Sequence, residues 1–140
     1  MASILKVDEM QGVTNTNEMT IAASNVTVAG EGTATMRLQQ GLIKVWFDIE
    51  QVGTHSLPDS FNCSSVTDIS TGQSQVDFTS AMNNSDWAIS NNNGNSAQDW
   101  VHSKYLTANF GTGKCDWVIY DTSAGWTDGY GSAMITGDLA

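Results

Sequence analysis

Hydrophobic and polar positions alternate most cleanly over residues 43–50. Ile43, Val45, Phe47 and Ile49 fall on one side, and Lys44, Trp46, Asp48 and Glu50 on the other. This period of two predicts a strand with one buried face. A second strand runs through Phe61 and Cys63 towards Val66. Asp68-Ile69-Ser70-Thr71-Gly72-Gln73 follows as a hairpin loop, and Val76 and Phe78 lie on the return strand. Trp87 and Ile89 mark another strand, ended by the turn signal Asn91-Asn92-Asn93-Gly94-Asn95. Leu106, Ala108 and Phe110 alternate with Tyr105, Thr107 and Asn109, and Gly111-Thr112-Gly113 turns the chain. Cys115, Trp117 and Ile119 then alternate with Asp116, Val118 and Tyr120, and Ala133–Ile135 forms a last strand. About seven short strands at regular spacing, with no sustained helical period, predict an all-β head over residues 42–140. Its expected form is an antiparallel β-sandwich, jelly-roll-like.

Residues 1–41 read differently. Leu5 and Val7 share a face, as do Met19 and Ile21, and Val26 and Val28, with polar turns between these patches. Gly30-Glu31-Gly32 breaks the pattern, and Met36-Arg37-Leu38-Gln39-Gln40-Gly41 predicts one helical turn closed by glycine. No aromatic residue precedes Trp46, so this stretch has too little apolar bulk to close a core alone. It predicts an extended, β-rich N-terminal oligomerisation arm. Leu5, Val7, Ile21, Val26 and Val28 would be sheltered between copies of the chain. Trp46, a large ring on the polar side of its strand, is placed at an oligomer interface on the same reasoning.

Composition narrows the function. The 140 residues carry a formal net charge of -10, with five basic and fifteen acidic side chains. Such a surface repels nucleic acid and anionic membranes. No apolar run approaches the roughly 20 residues of a membrane span, so no membrane insertion is expected. The first residues lack the basic start and long apolar run of a secretory signal, which predicts synthesis in a cytoplasm and leaves the Asn-x-Ser/Thr triplets unused. Cys63 and Cys115 stand apart among small or apolar neighbours and read as buried free thiols.

Catalytic chemistry is hard to find. His55 and His102 have no metal-ligand partner at strand or helix spacing and read as surface or strand-edge histidines; neither a metal nor a cofactor is expected. No serine sits in a Gly-x-Ser-x-Gly elbow, and the carboxylates are scattered singly. The chain is therefore not expected to be an enzyme. Ala124-Gly125-Trp126-Thr127-Asp128-Gly129-Tyr130-Gly131 is more suggestive. Its glycines loosen the backbone around two rings, which could stack on a sugar face or anchor a protein while Asp128 takes polar groups. Trp100 is a second candidate of this kind. The competing reading folds these rings over the end of the head or into a subunit interface.

Two stretches occur in order: Thr27-Val28-Ala29-Gly30-Glu31-Gly32-Thr33-Ala34-Thr35 leading to Leu38-Gln39-Gln40-Gly41-Leu42-Ile43-Lys44-Val45-Trp46, and later Asp59-Ser60-Phe61-Asn62-Cys63-Ser64-Ser65-Val66-Thr67-Asp68 before Val76-Asp77-Phe78-Thr79. Together they resemble the C-terminal head modules of tail-fibre and related virion proteins of tailed bacteriophages, especially marine ones. Leu5-Lys6-Val7-Asp8-Glu9-Met10-Gln11-Gly12-Val13 is similar to the repeat that precedes such heads. The resemblance implies a homotrimeric virion structural protein, assembled in the host bacterial cytoplasm and contacting other tail or capsid proteins. Its head would attach to a host-surface glycan or protein. The alternative it implies is a capsid decoration, cement or head-fibre protein that stabilises the particle. A chain this short has almost no shaft, so a fibre tip or short fibre fits better than a long fibre.

Overall fold

The computed structural model describes residues 27–29, 35–37, 41–94, 99–102, 111–121 and 123–139. The chain divides into two compact units, Met1–Leu38 and Gln39–Ala140. In the first unit, β1 (Thr27–Ala29) pairs antiparallel with β2 (Thr35–Arg37), Val28 standing opposite Met36. Met36 and Arg37, where the expected helical turn begins, lie in this ladder instead, while Gly41, where it was expected to end, is helical; residues 38–40 between them lie outside the described residues. Leu5, Val7, Ile21 and Val26 lie outside the described residues.

The described strands of the second unit are β3 (Ile43–Glu50), β4 (Ser60–Phe61), β5 (Cys63–Ser70), β6 (Gln73–Phe78), β7 (Ala88–Asn93), β8 (Asp99–His102), β9 (Lys114–Asp121), β10 (Gly125–Trp126) and β11 (Tyr130–Thr136). They form two antiparallel sheets. One has the order β4-β3-β11-β7. In the other, β5 pairs β6 and β6 pairs β9, with β8 also on β9. Val118 faces Gln73 and His102, while Tyr120 faces Trp126 and Trp100. Strands β6 and β10 therefore lie end to end along one side of β9, with β8 along the other.

The two sheets share one core. Val45, Phe47, Ile49, Ala133 and Ile135 from the first meet Val76, Phe78, Cys115, Trp117 and Ile119 from the second, closed by Met82 and Trp87. Phe47 and Trp117 meet edge to face at 5.8 Å, and Phe78 and Trp87 at 6.0 Å. The period-two patterns of β3 and β9 thus point their apolar sets inward as expected. The chain crosses from the first sheet to the second at Asn62, which takes a left-handed φ of 61°. Its amide is held on both sides of that corner: Nδ2 donates to the carbonyls of Lys44 and Ser80, and Oδ1 accepts from the Ser80 backbone N–H. Asparagine tolerates this conformation better than most residues.

Several sequence expectations need correction. Ile43 is 43% exposed and Lys44 is buried. The register shifts between Ile135 and Thr136, pairing Val45 and Ile43 with consecutive β11 residues and leaving Lys44 as the extra one. A bulge of this kind inverts the alternation on its far side. The hairpin loop expected over Asp68–Gln73 narrows to Thr71 and Gly72, because β5 continues to Ser70 and β6 begins at Gln73. Gly72 has a φ of +69°, and an added Cβ would stand 2.7 Å from the backbone N of Thr127, so glycine is required there. Asn91–Asn93 form strand rather than turn, since each pairs with β11 and Asn92 Oδ1 accepts from both N and Oγ of Ser132. Pairing partners override local propensity here.

Candidate functional site

Trp126 and Tyr130 are four residues apart but belong to different sheets. Trp126 lies on β10, opposite Tyr120 of β9. Because Trp117 and Ile119 point into the core, Tyr120 points out of the second sheet, and it is exposed. The Tyr120 and Trp126 rings meet edge to face at 5.3 Å. Trp100 of β8 occupies the register position on the far side of Tyr120. One cross-strand level of this sheet thus carries three aromatic residues in a row, Trp100, Tyr120 and Trp126. Tyr120 was not singled out by sequence reasoning; its alternation with core residues Trp117 and Ile119 is the signal that could have found it.

Tyr130 begins β11 and pairs with Glu50, whose neighbour Ile49 is in the core. It therefore projects from the outer face of the first sheet. Trp46 belongs to that same face. Phe61, Trp46, Met134 and Ser90 stand in one cross-strand row, and Asp48, Ser132 and Asn92 in the next. Phe61 and Met134 are exposed and Trp46 is half-buried. The side expected to be polar is therefore an apolar row beside a polar one. The proposed recognition loop is split: Trp126 and Tyr130 do not form one patch.

Asp128 faces inward at one oxygen. Its Oδ1 accepts from the Gly72 backbone N–H at 2.6 Å and lies 3.9 Å from His55 Nε2. His55 is a correction to the surface histidine expected from sequence, since its side chain is only 3% exposed. Its Nδ1 lies 2.9 Å from Ser74 Oγ, and Ser74 Oγ accepts from Gln51 Nε2 at 2.8 Å. His55 Nε2 faces Asp68 Oδ1 at 3.6 Å as well as Asp128. His102 lies on β8, paired with Val118.

Ser74, His55 and Asp68 have the composition of a nucleophile–base–acid relay, but Ser74 is 1% exposed and its hydroxyl is engaged on both sides. No substrate carbonyl can reach it. The cluster instead clamps three segments together: residues 51–59, the β5–β6 turn and residues 127–129. Gln51 N donates to Gly129 O, and Ile119 N to Gly72 O, across the same junction. This fixes the base of the segment that carries Trp126.

Among the described residues, no three His, Cys, Asp or Glu side chains converge as a metal set. Cys63 and Cys115 are both free thiols. Burial pushes the Cys63 thiol up to about 11, against a smaller opposing effect of a hydrogen bond with Ser60. Burial likewise raises Cys115 well above its ordinary value. Neither is an activated nucleophile. No protein-family model, curated protein or solved structure matches the chain.

Proposed function

We propose that the chain is a non-catalytic recognition module of a tailed-bacteriophage virion, of short tail-fibre or fibre-tip type, that attaches the particle to a host-surface glycan or protein. Residues 42–140 are its β-sandwich head, jelly-roll-like, and residues 1–41 an extended arm that joins three copies through Leu5, Val7, Ile21, Val26 and Val28. The observation that carries the reading is the Tyr120–Trp126 ring pair on the outer face of its sheet, with Trp100 in register beside it. The core shared by the two sheets lies on the other side of that sheet and does not include Tyr120, which is exposed although Val118 and Asp116 on its own face are buried. A ring pair with one exposed member, Tyr120, and one half-buried member, Trp126, is a natural anchor for a ligand from outside. The buried state of Ser74 and the neutral thiols support the absence of a nucleophilic reaction. The acidic surface supports a partner other than nucleic acid.

Particles carrying Tyr120→Ala with Trp126→Ala test this. The reading expects intact particles that adsorb to host cells at least about tenfold less well. Normal adsorption would remove it. Loss of thermal or osmotic stability of the particle, with adsorption intact, would favour the decoration role instead.

A further inference from the structure

The first sheet's outer face has a composition that its neighbours in the fold do not require. Along β11 it presents Tyr130, Ser132 and Met134, and along β3 Glu50, Asp48 and Trp46. Tyr130 and Trp46 therefore stand at two ends of one face, about 14 Å apart at the strand rise of roughly 3.4 Å per residue. Between them lies the polar row Asp48, Ser132 and Asn92. Two contiguous hollows run across these strands. One, of about 360 Å³, is walled by Ile43, Trp46, Met134 and Asp48; the other, of about 100 Å³, by Ser90, Asn91 and Asn92, and Ser132 and Met134 line both, with Tyr130 beyond them at the end of the same face. The Asn92 amide is held in place because its Oδ1 accepts twice from Ser132, which leaves Nδ2 as the outward donor.

We infer that this groove is a binding site for a neutral, hydroxyl-rich carbohydrate chain, with sugar rings seated on Trp46 and Tyr130 and hydroxyls taken by Asp48, Ser132 and Asn92. The inference rests on the recognition reading above but places the contact on the other sheet. A pyranose is apolar across its ring faces and polar around its rim, so it needs aromatic surface and hydrogen-bonding groups side by side, as here. Asp48 lines the groove, Glu50 stands two residues further along the same face, and no cation lines either hollow, which disfavours phosphate, sulfate or uronate ligands. The same charges disfavour a second copy of the chain. Seating one here would bury Asp48 and Glu50 against a protein with only five basic residues in all. Trp46 is accordingly assigned to recognition rather than to an oligomer interface.

Native gels cast with dextran, galactomannan or hydroxyethylcellulose, and with alginate as the anionic control, test the site on the full chain. At least one neutral polymer should retard the protein and alginate should not. Trp46→Ala should weaken that retardation about tenfold or more, and Tyr130→Ala and Asp48→Ala, both at exposed positions, should weaken it with unchanged thermal unfolding. Tyr120→Ala should leave it unchanged. Retardation by no neutral polymer, retardation by alginate alone, or retardation that survives all three groove variants would overturn the inference. So would a Trp46→Ala protein that loses its oligomeric mass in sedimentation while its retardation is intact. Host-cell adsorption that depends on Tyr120 and Trp126 but not on the groove variants would sink this site and leave the attachment role standing.

Discussion

Trp117 of one sheet presses so closely on Gly131 of the other that a Cβ built on the glycine would stand 2.5 Å from the indole Cζ2. The same Cβ would stand 2.5 Å from the Asn92 carbonyl oxygen, a backbone atom that cannot swing aside. Gly131 thus sets how closely the sheets approach. Gly131→Ala should destabilise the protein by about 2–4 kcal/mol, read as a lower denaturation midpoint in urea. An unchanged midpoint would mean the sheets can separate at no cost.

Ser74 should matter for stability and not for chemistry. Ser74→Ala removes the group that joins Gln51 Nε2 to His55 Nδ1 inside the protein. The expected loss is about 1–3 kcal/mol, measured by thermal or chemical unfolding. A fluorophosphonate probe should leave the native protein unlabelled because the hydroxyl is 1% exposed. Labelling at Ser74 would revive a hydrolase reading.

Asp128 was singled out as a recognition residue, but its carboxylate accepts from the Gly72 backbone. Asp128→Ala should cost about 1.5–3 kcal/mol in stability, the range for a hydrogen bond to a charged group. A variant of full stability that has lost ligand binding would restore the direct role.

The two thiols predict an alkaline weakness. Burial raises Cys63 from the ordinary 9.0 to about 11. The folded protein therefore holds the thiol proton more tightly than the unfolded chain does. The stability this confers is fully present below 9.0 and is lost as pH rises to about 11. Cys115 acts in the same direction. Under reducing conditions, melting temperatures of Cys63→Ala and Cys115→Ala should fall less steeply across that window than those of the unaltered protein. Parallel curves would contradict the burial of the thiols.

Where a strand's own alternation decides its orientation, the sequence was legible. Val45, Phe47 and Ile49, and Cys115, Trp117 and Ile119, face the core as their spacing requires. Ile43 and Lys44 were misread because the bulge belongs to the pairing with β11, about ninety residues away, and leaves no local mark. Asn91–Asn93 have the chemistry of a turn, and only Ser132 and its neighbours make them a strand. The candidate site suffered most from distance in the fold. Trp126 and Tyr130 look adjacent but enter different sheets, while Trp46 and Tyr130 look remote and share a face. His55 gains its meaning from Ser74, Asp68 and Asp128, none of which lies near it in the sequence.

Hydroxyl-radical footprinting of the protein across its assembly range asks most directly whether the outer rings serve outside ligands or sister copies. If they serve recognition, Tyr120, Trp126 and Tyr130 will react as fast in the proposed trimer, at three times the 15.0 kDa chain mass, as in dilute solution. Protection of those three rings on assembly would show that the copies bury them against one another, and would contradict attachment through these faces.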